Sequence, residues 1–178
     1  MSVALSVVVP AYNEAGRLGP SLERITSYLG GRGIAYEVLV VDDGSTDATA
    51  AVAGEYAARG VWLLELSYNR GKGAALRHGV VASRGDKVLL CDADLSTPIE
   101  ALETLEPHLE AADVVLGSRA VEGARIELRQ PVHRELMGKA FNLILRFLGV
   151  TPFRDTQCGF KLLRGEAARR LFPELTID

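Results

Sequence analysis

The sequence predicts an α/β fold in which helices flank a mostly parallel central sheet. Short apolar, β-branched runs alternate along the chain with segments of helical spacing, which is the pattern of β-α-β units. Polar clusters follow three of these runs, as expected where a parallel sheet opens the carboxyl ends of its strands to a ligand. The chain has 178 residues, long enough for one domain with a substantial core.

The first part of the chain predicts three strands and two helices. The run LSVVVP at residues 5–10 is typical of a strand that is buried on both faces. A helix is predicted next, over residues 18–29, because apolar residues recur there at helical spacing. The following elements are a strand at 37–41, an alanine-rich helix at 46–59 and a strand at 61–66.

The second part continues the alternation and then departs from it. We predict a helix at 74–83, a strand at 87–91, a helix at 98–109 and a strand at 113–116. For the helix at 98–109, Thr97, Pro98 and Glu100 match a capping box. Later segments are predicted as a charged loop at 121–130, an apolar-striped helix at 131–149 and an irregular, then extended, stretch at 153–163.

The composition excludes several classes of protein. A formal net charge of -3, with 24% charged residues, leaves no basic excess for binding nucleic acid. No apolar run approaches the length of a membrane span and no basic region follows Met1, so neither a span nor a signal peptide is predicted. Cys91 and Cys158 are too few and too far apart for a disulfide scaffold or a zinc site, which favours buried free thiols and a cytoplasmic location.

The segment VLLCDADLS places Asp92 and Asp94 directly after a predicted strand. Aspartates two residues apart in an extended segment point to the same side, and their carboxylates repel each other unless a cation lies between them. Mg²⁺ or Mn²⁺ prefers such oxygen ligands and keeps coordination sites for a substrate diphosphate. The alternative is that both aspartates only decorate a turn, where Asp is common. Convergence with the other polar clusters favours the metal site.

The segment VVDDGSTD is the second acidic cluster. Ser45 can cap the following helix, and Asp47, in the first turn of that helix, suits the positive end of its dipole. Those roles leave Asp42 and Asp43 unexplained, and their carboxylates could accept hydrogen bonds from a nucleobase or from ribose hydroxyls. Because acids at strand ends occur in many α/β folds, nucleotide binding and a structural role both stay open for this segment.

The segment NRGKGAAL, residues 69–76, is similar to a phosphate-binding loop but fails its tests. It lacks the Ser or Thr that follows Gly-Lys in a Walker loop and the third glycine of a dinucleotide fingerprint. The segment is therefore predicted only to begin a helix, with the cationic Arg70 and Lys72 near the start, where an anion could bind. Further cationic positions follow the last core strand, with Arg119 best placed to reach the crevice: Arg119, Arg129, His133 and Arg134.

Five motifs in order resemble the family 2 glycosyltransferases, which have the GT-A fold. They cover residues 3–119 and are VVVPAYNEAGRL, VVDDGSTDAT, NRGKGAALRHG, CDADLSTP and VLGSR. The later run RDTQCGFKL is similar to the branch of dolichyl-phosphate glucosyltransferases and polyprenyl-phosphate mannosyltransferases, and closest to the glucosyl type. The resemblance implies an inverting hexosyltransferase that uses UDP-glucose or GDP-mannose, Mg²⁺ or Mn²⁺, and a lipid-phosphate acceptor. It also implies peripheral contact with the cytoplasmic face of a membrane.

The same resemblance implies roles for individual residues. The donor would contact Pro10, Ala11, Tyr12, Glu14, Asp43, Lys72 and Ala93. Asp42 would support Asp43. Asp92 and Asp94 would hold the metal, with Asp94 counted among the catalytic residues. Arg119 and Arg134, or Arg129 in place of the latter, would grip the acceptor phosphate. Gln157 and the backbone around Cys158 and Gly159 would shape the sugar site.

Two features depart from the family pattern. Ser96 stands where some mannosyl-type relatives have a residue that assists the metal, so its role is open. The sequence stops at Asp178 where relatives continue, so residues 1–178 are expected to be a single glycosyltransferase domain that is incomplete at its C-terminus.

Other classes of protein remain as alternatives. DADLS is similar to the nucleophile motif of haloacid-dehalogenase-type phosphatases, in which Asp92 would attack phosphorus and Asp94 would transfer protons. That motif normally lies on the first strand. A nucleotidyltransferase would need a glycine-rich loop after Val9, which is absent. Two further alternatives are a nucleotide-sugar-binding module without catalytic activity and a family 2 enzyme that acts on a non-lipid acceptor.

Overall fold

A computed structural model describes residues 2–117 and 158–175 of the chain, and within them a six-stranded sheet forms the centre. The strands are β1 (Leu5–Ala11), β2 (Tyr36–Asp42), β3 (Val61–Glu65), β4 (Lys87–Leu90), β5 (Val114–Leu116) and β6 (Lys161–Arg164). Their order across the sheet is β3-β2-β1-β4-β6-β5.

The sheet is mostly parallel, as predicted. β1 pairs in parallel with both β2 and β4, and β2 pairs in parallel with β3. β6 alone among the described strands runs the other way, antiparallel to β4 on one side and β5 on the other. The chain moves outward from β1 to β3 and then returns to β4 on the other side of β1. Such a switch point opens a crevice at the carboxyl ends of the two central strands.

Helices cover both faces of the sheet. They are α1 (Ala15–Gly31), α2 (Thr49–Gly54), α3 (Lys72–Ala82), α4 (Leu102–Leu105) and α5 (Gly165–Leu171). α1, α2 and α4 contribute apolar residues to the core on one face, whereas α3 and α5 contribute to the core on the other. The strand side chains alternate between the two layers: Val7 and Val9 lie in the first, and Val8 lies in the second. All three are fully buried, which confirms the prediction of a strand covered on both sides.

The single helix predicted at 98–109 is wrong. The segment consists of a 3₁₀ turn (Ile99–Ala101), the one-turn helix α4 and a second 3₁₀ turn (Glu106–Glu110). The capping-box interpretation fails with it, because Pro98 has an extended ψ of 141° and no side chain caps the turn. Pro107 adds a second obstacle, since it has no amide hydrogen for a continuing helix.

The side chains assigned to that cap have other partners. The Thr97 hydroxyl lies 3.9 Å from Cys158 Sγ. Glu100 instead forms an ion pair with Arg24 on α1, with 3.0 Å between Arg24 Nη2 and Glu100 Oε2. Tertiary contacts therefore replaced the local cap.

Several other predictions differ from the structure or lie outside it. The helix predicted at 46–59 is reduced to α2 and a 3₁₀ turn (Ala57–Arg59), and α5 was not predicted. Every helix in the described part of the chain is too short or too polar to span a membrane. The predicted loop at 121–130 and helix at 131–149, with Arg119, Arg129, His133, Arg134 and Gln157, lie outside the described residues.

Candidate active site

A cleft of about 430 Å³ opens at the carboxyl edge of the sheet, beside the switch point between β1 and β4. It contains the predicted donor and metal residues of the described ranges except Asp42, whereas Cys158 and Gly159, which were predicted to shape the sugar site, are not among its lining residues. The lining residues are Pro10, Ala11, Tyr12, Glu14, Arg17, Asp43, Asn69, Gly71, Lys72, Ala75, Asp92, Ala93 and Asp94. Residues from four separate segments therefore meet in one place, as the strand-end clusters predicted.

The loop after β1 is tied to the loop after β2 by Asn13. This residue has a left-handed backbone, with a φ of 54°, which Asn tolerates better than most residues. Its amide donates to Ser45 Oγ at 3.0 Å, and its Oδ1 accepts from the Thr46 amide at 2.9 Å. The two loops thus carry Tyr12 and Asp43 into the same cleft.

Asp42 lies behind the cleft and supports the loop. Its Oδ1 accepts from the Ser45 amide at 2.9 Å and also from the Ser45 hydroxyl. The prediction that Ser45 caps the next helix is wrong, since the residue before α2 is Ala48 and no side chain caps it. The hydroxyl is already held by Asp42.

Asp47 joins the beginnings of two helices. Its Oδ1 accepts from the Thr49 amide at 2.9 Å, and its Oδ2 accepts from the Ala15 amide at 3.2 Å. Hydrogen bonds, first of all from the Thr49 hydroxyl, hold the pKa of the Asp47 carboxyl below its usual range. The prediction that Asp47 lies in the first turn of the next helix is wrong, because Asp47 precedes α2 and no acidic residue lies in the first turn of that helix.

Asp43 binds the backbone at the start of α3. Its Oδ1 accepts from the Arg70 amide and its Oδ2 from the Gly71 amide, each at 2.8 Å. Gly71 has a φ of 89°, which only glycine adopts readily. The buried carboxylate therefore sets the position of the segment that presents Lys72 to the cleft.

A tight turn holds Asp92 and Asp94. The Leu95 amide donates to the Asp92 carbonyl at 3.0 Å, and the Ser96 amide donates to Asp94 Oδ1 at 3.0 Å. Leu95 has a left-handed φ of 46°, an unfavourable conformation for a non-glycine residue, and its buried side chain anchors the turn. Both carboxylates consequently face the cleft from one short segment.

Each of these two carboxylates has a cationic neighbour. The Lys72 ammonium forms an ion pair with Asp92. Asp94 Oδ2 lies 3.9 Å from Nη1 of Arg17. Side-chain exposures of 29% for Asp92 and 39% for Asp94 leave room for further ligands. Positive charge already compensates the repulsion expected between two neighbouring carboxylates.

The residues present fit a hard divalent cation that is shared with a substrate. Asp92 and Asp94 offer carboxylate oxygens, the ligands that Mg²⁺ and Mn²⁺ prefer. Within residues 2–117 and 158–175, no three His, Cys, Asp or Glu side chains are grouped closely enough to hold an ion by themselves. The two aspartates would therefore need oxygens from a diphosphate and water to complete an octahedral shell.

The sequence interpretation missed four cleft residues. Arg17 is the most significant of them: its Nε and Nη2 donate to the two carboxylate oxygens of Glu14 at 2.7 and 2.8 Å. The spacing of three residues at a helix start could have revealed this pair. Asn69, Gly71 and Ala75 all lie inside the segment NRGKGAAL, residues 69–76.

Both cysteines are buried free thiols, as predicted. Burial, with smaller contributions from Asp92 and Asp94, raises the pKa of the Cys91 thiol. A neutral, desolvated thiol is a poor nucleophile and a poor metal ligand. Cys91 therefore serves as packing beneath the acidic turn.

Fold and cleft together define an α/β protein of GT-A type with an acidic cleft at the carboxyl edge of its sheet. The profile of glycosyl transferase family 2 matches residues 6–172, so the chain belongs to that family. Among its curated relatives are dolichyl-phosphate β-glucosyltransferases. That of Mus musculus is 42% identical over 190 residues, covering 98% of this chain and 59% of the relative. One from Trichomonas vaginalis is 41% identical over 185 residues, covering 96% and 55%.

The human dolichyl-phosphate β-glucosyltransferase is similar to this chain to nearly the same degree. It is 40% identical over 98% of this chain and 59% of the relative. The chain thus spans somewhat more than half the length of the curated relatives it matches.

Solved structures show the same fold at lower identity. Mannosyl-3-phosphoglycerate synthase from Rubrobacter xylanophilus superposes with a TM-score of 0.68 at 24% identity, covering 93% of this chain and 54% of that one. Glucosyl-3-phosphoglycerate synthase from Mycobacterium tuberculosis, solved with Mn²⁺ and UDP-glucose, gives 0.65 at 24% identity, covering 92% and 57%. These similarities confirm the predicted GT-A fold.

Proposed function

We propose that the chain is the donor-binding part of an inverting glycosyltransferase. The enzyme would move a hexose, glucose before mannose, from a nucleotide-diphosphate sugar to a polyprenyl or dolichyl phosphate. One observation supports this most: a single cleft joins Asp43 and Tyr12 to the Asp92 and Asp94 pair, in a chain 40–42% identical to dolichyl-phosphate β-glucosyltransferases. Residues 1–178 would belong to one glycosyltransferase domain.

The donor nucleoside would lie near the carboxyl end of β1. Pro10, Ala11 and Tyr12 line the cleft there, and the exposed Tyr12 ring offers a flat apolar surface for a base. Asp43 lies on the same wall, and its carboxylate oxygens each have a second lone pair after binding the α3 backbone. These features suit a uridine or guanosine diphosphate sugar.

Asp92 and Asp94 would hold Mg²⁺ or Mn²⁺ against the donor diphosphate. When bound, the ion supplies positive charge that stabilises the leaving diphosphate. Lys72 lies beside Asp92. Its ammonium can therefore bind a phosphate oxygen of the donor once Asp92 binds the cation instead. The cleft would thereby combine donor orientation with neutralisation of charge, by Lys72 and Arg17 as well as by the ion.

A lipid phosphate would act as the nucleophile without a protein base. Unlike a sugar hydroxyl, a phosphate monoester is already anionic near neutral pH and can attack the anomeric carbon directly. Arg119 and Arg134, or Arg129 in place of Arg134, would hold it in line, while Gln157 would contact the sugar. Attack opposite the nucleotide inverts the anomeric carbon and gives a β-linked product from an α-linked donor. The reaction would take place at the cytoplasmic face of a membrane.

Arg119→Ala tests the acceptor half of this proposal. We expect the variant to impair use of polyprenyl phosphate more than donor binding, because the guanidinium is assigned to the acceptor phosphate alone. Steady-state kinetics with varied acceptor and varied donor will separate the two effects. Equal loss toward both substrates would contradict the assignment.

The donor is best identified by a screen for thermal stabilisation. UDP-glucose, UDP, GDP-mannose and GDP are added separately, each with and without Mn²⁺. A ligand at 100 times its Kd stabilises a protein by about 2.7 kcal/mol, so a true donor gives a measurable shift. We expect the largest shift with UDP-glucose and Mn²⁺ together.

Product analysis then tests the reaction itself. Incubation with the donor and a polyprenyl phosphate should give a β-linked lipid-phosphate sugar. Retention of the α configuration, or preferred transfer to a neutral sugar hydroxyl, would refute the proposal. Donor binding without transfer would indicate a silent binding module.

A phosphatase is the weaker alternative. Asp92 and Asp94 follow β4, not the first strand as in haloacid-dehalogenase-type enzymes, and the donor-side residues would have no use. Hydrolysis of a phosphate monoester that exceeds sugar transfer would reverse this preference.

A further inference from the structure

Gly159 lies directly against the carboxylate of Asp92. A Cβ atom added to Gly159 would stand 2.1 Å from Asp92 Oδ2 and 2.4 Å from both Cγ and Oδ1. Those separations are far below any van der Waals contact. Gly159 is also absent from the described glycines with a left-handed φ, so its backbone conformation is open to alanine. Space beside Asp92, and not backbone geometry, is what requires glycine here.

The antiparallel strand β6 explains this contact. Leu90 at the end of β4 stands opposite Lys161 at the beginning of β6. If that register continues two residues beyond the paired segment, Asp92 comes opposite Gly159. The carboxyl end of β4 and the amino end of β6 therefore meet at the cleft, although their residues are far apart in the sequence.

The segment around Gly159 is well anchored. The Lys161 ammonium donates to the Cys158 carbonyl at 2.6 Å. Cys158 and Phe160, on either side of Gly159, are both buried in the core. Because its flanking residues are fixed in this way, Gly159 forms a firm wall for the side chain of Asp92.

A positive charge also contacts the carboxylate of Asp92, in addition to the backbone of Gly159. The Lys72 ammonium pairs with Asp92 Oδ1 from the start of α3. Asp92 is therefore enclosed by Gly159 backbone and by a cation. A bulkier residue at 159 would push the carboxylate away from this position.

We propose that Gly159 is a positioning residue, whose missing side chain leaves the space in which Asp92 presents its carboxylate to a divalent cation. This role rests on the proposed function, in which Asp92 holds Mg²⁺ or Mn²⁺. Gly159 itself contacts no reacting atom; it acts through Asp92.

The steric part is tested by introducing Gly159→Ala into three backgrounds of the full chain: the parent, Asp92→Asn and Asp92→Ala. Asn keeps the size of the Asp side chain without its charge, whereas Ala removes the three atoms that lie nearest the added Cβ. The urea midpoint of unfolding is measured without metal or nucleotide. We expect Gly159→Ala to lower the midpoint in the parent and in Asp92→Asn, but not in Asp92→Ala.

A matched control and two further outcomes keep this test decisive. Gly30→Ala is the control, because a Cβ on Gly30 meets nothing within 4 Å. Equal destabilisation by Gly159→Ala in all three backgrounds would overturn the proposal. If the single variant does not fold, a folded Gly159→Ala/Asp92→Ala double variant supports it, and failure of both overturns it.

The metal part is tested by titrating Mn²⁺ in the presence of UDP and following free Mn²⁺ by electron paramagnetic resonance. We expect Gly159→Ala to weaken Mn²⁺ binding about 10- to 100-fold, as is typical when a partner of a ligand is changed. UDP binding without metal should be unchanged. Unchanged Mn²⁺ affinity in a folded variant would overturn the proposal while leaving the proposed function intact. Absence of Mn²⁺ binding by the parent would instead refute the metal assignment and, with it, this role of Gly159.

Discussion

Carboxylates around the cleft hold the local backbone as well as facing a ligand. Asp42 accepts hydrogen bonds from Ser45, and Asp43 accepts from the two amides before α3. Asp47 accepts from the first residues of two helices. A carboxylate has about four lone-pair sites, so one residue can fill a structural and a binding role together.

Replacing Asp43 with Asn should affect both roles. Asn has one acceptor oxygen, so its NH₂ group would face either the Arg70 or the Gly71 amide, donor to donor. Loss of a buried charged hydrogen bond costs about 1–3 kcal/mol, and we expect that loss in the free energy of unfolding. Donor affinity should fall as well. Urea unfolding and nucleotide titration will measure the two effects, with the exposed Asp86→Asn as control. Unchanged stability would contradict the backbone role.

Asp94→Ala should separate metal binding from folding. Asp94 is partly exposed, and among the described residues its carboxylate accepts one hydrogen bond, from the Ser96 amide, so its removal should leave the fold intact. We expect the variant to lose the Mn²⁺-dependent part of nucleotide-sugar binding, because only one carboxylate remains for the ion. Calorimetry with and without Mn²⁺ is the measurement. A variant that binds the donor with the parent's metal dependence would refute the assignment.

At the scale of the elements, α3 connects the sheet to the cleft. Its first residue, Lys72, pairs with Asp92, and its middle rests on the sheet at Gly79. A Cβ on Gly79 would lie 2.5 Å from Val8 Cγ1 and 2.8 Å from Val41 Cγ2. The close approach of the helix to β1 and β2 thus depends on this glycine.

Gly79→Ala should lift α3 from the sheet. Overpacking of a tight core contact costs about 1–3 kcal/mol, and we expect a loss of stability in that range. Donor affinity should also decrease, because Lys72 moves with the helix. Gly54→Ala is the control, since its Cβ meets nothing within 4 Å. Equal midpoints for the two variants in urea unfolding would contradict the expected steric effect.

At the scale of the whole molecule, the two edges of the sheet are both polar but differ in their chemistry. The carboxyl edge carries the open cleft. The amino edge carries a closed network around Glu37, which accepts from Ser6 Oγ at 2.7 Å and from Arg84 Nη2 at 2.6 Å. Gly85 donates in turn to Ser6 Oγ at 2.8 Å. This network joins β1, β2 and the segment before β4.

The Glu37 network should make stability depend on pH. Burial disfavours the charged carboxylate, but the bonds from Ser6 and Arg84 outweigh burial, so the pKa of Glu37 lies below its ordinary value of 4.5. The pKa of Glu106, held by Lys87 and Arg32 against the effect of burial, is lowered too. A lowered folded-state pKa stabilises the protein above 4.5, and this stability is lost as the pH falls through the folded value.

Glu37→Gln should therefore flatten the acid side of the stability profile. We expect the variant to be less stable by about 1–3 kcal/mol at neutral pH and to lose less stability below pH 4.5 than the parent. Urea midpoints from pH 7 down to pH 3 are the measurement. The exposed Glu55→Gln serves as control. A profile parallel to that of the parent would contradict the role of Glu37.

Local sequence determined most of the framework. Apolar runs identified β1, β2 and β4, because a strand that is covered on both faces has no polar alternation. The polar clusters after them predicted the cleft, because parallel strands bring their carboxyl ends to one edge. Asp43, Asp92 and Asp94 could therefore be assigned to one site from the sequence alone, and the cleft contains all three.

Tertiary structure alone decided the remaining features. The insertion of β6 between β4 and β5 depends on pairing with residues far away in the sequence, which local periodicity does not record. The contact of Gly159 with Asp92 follows from that pairing. The ion pair of Glu100 with Arg24 on α1, in place of the predicted cap at Thr97, is likewise a long-range contact. Sequence patterns thus determined which residues form strands and which chemistry follows them, whereas long-range packing decided how closely those residues approach one another.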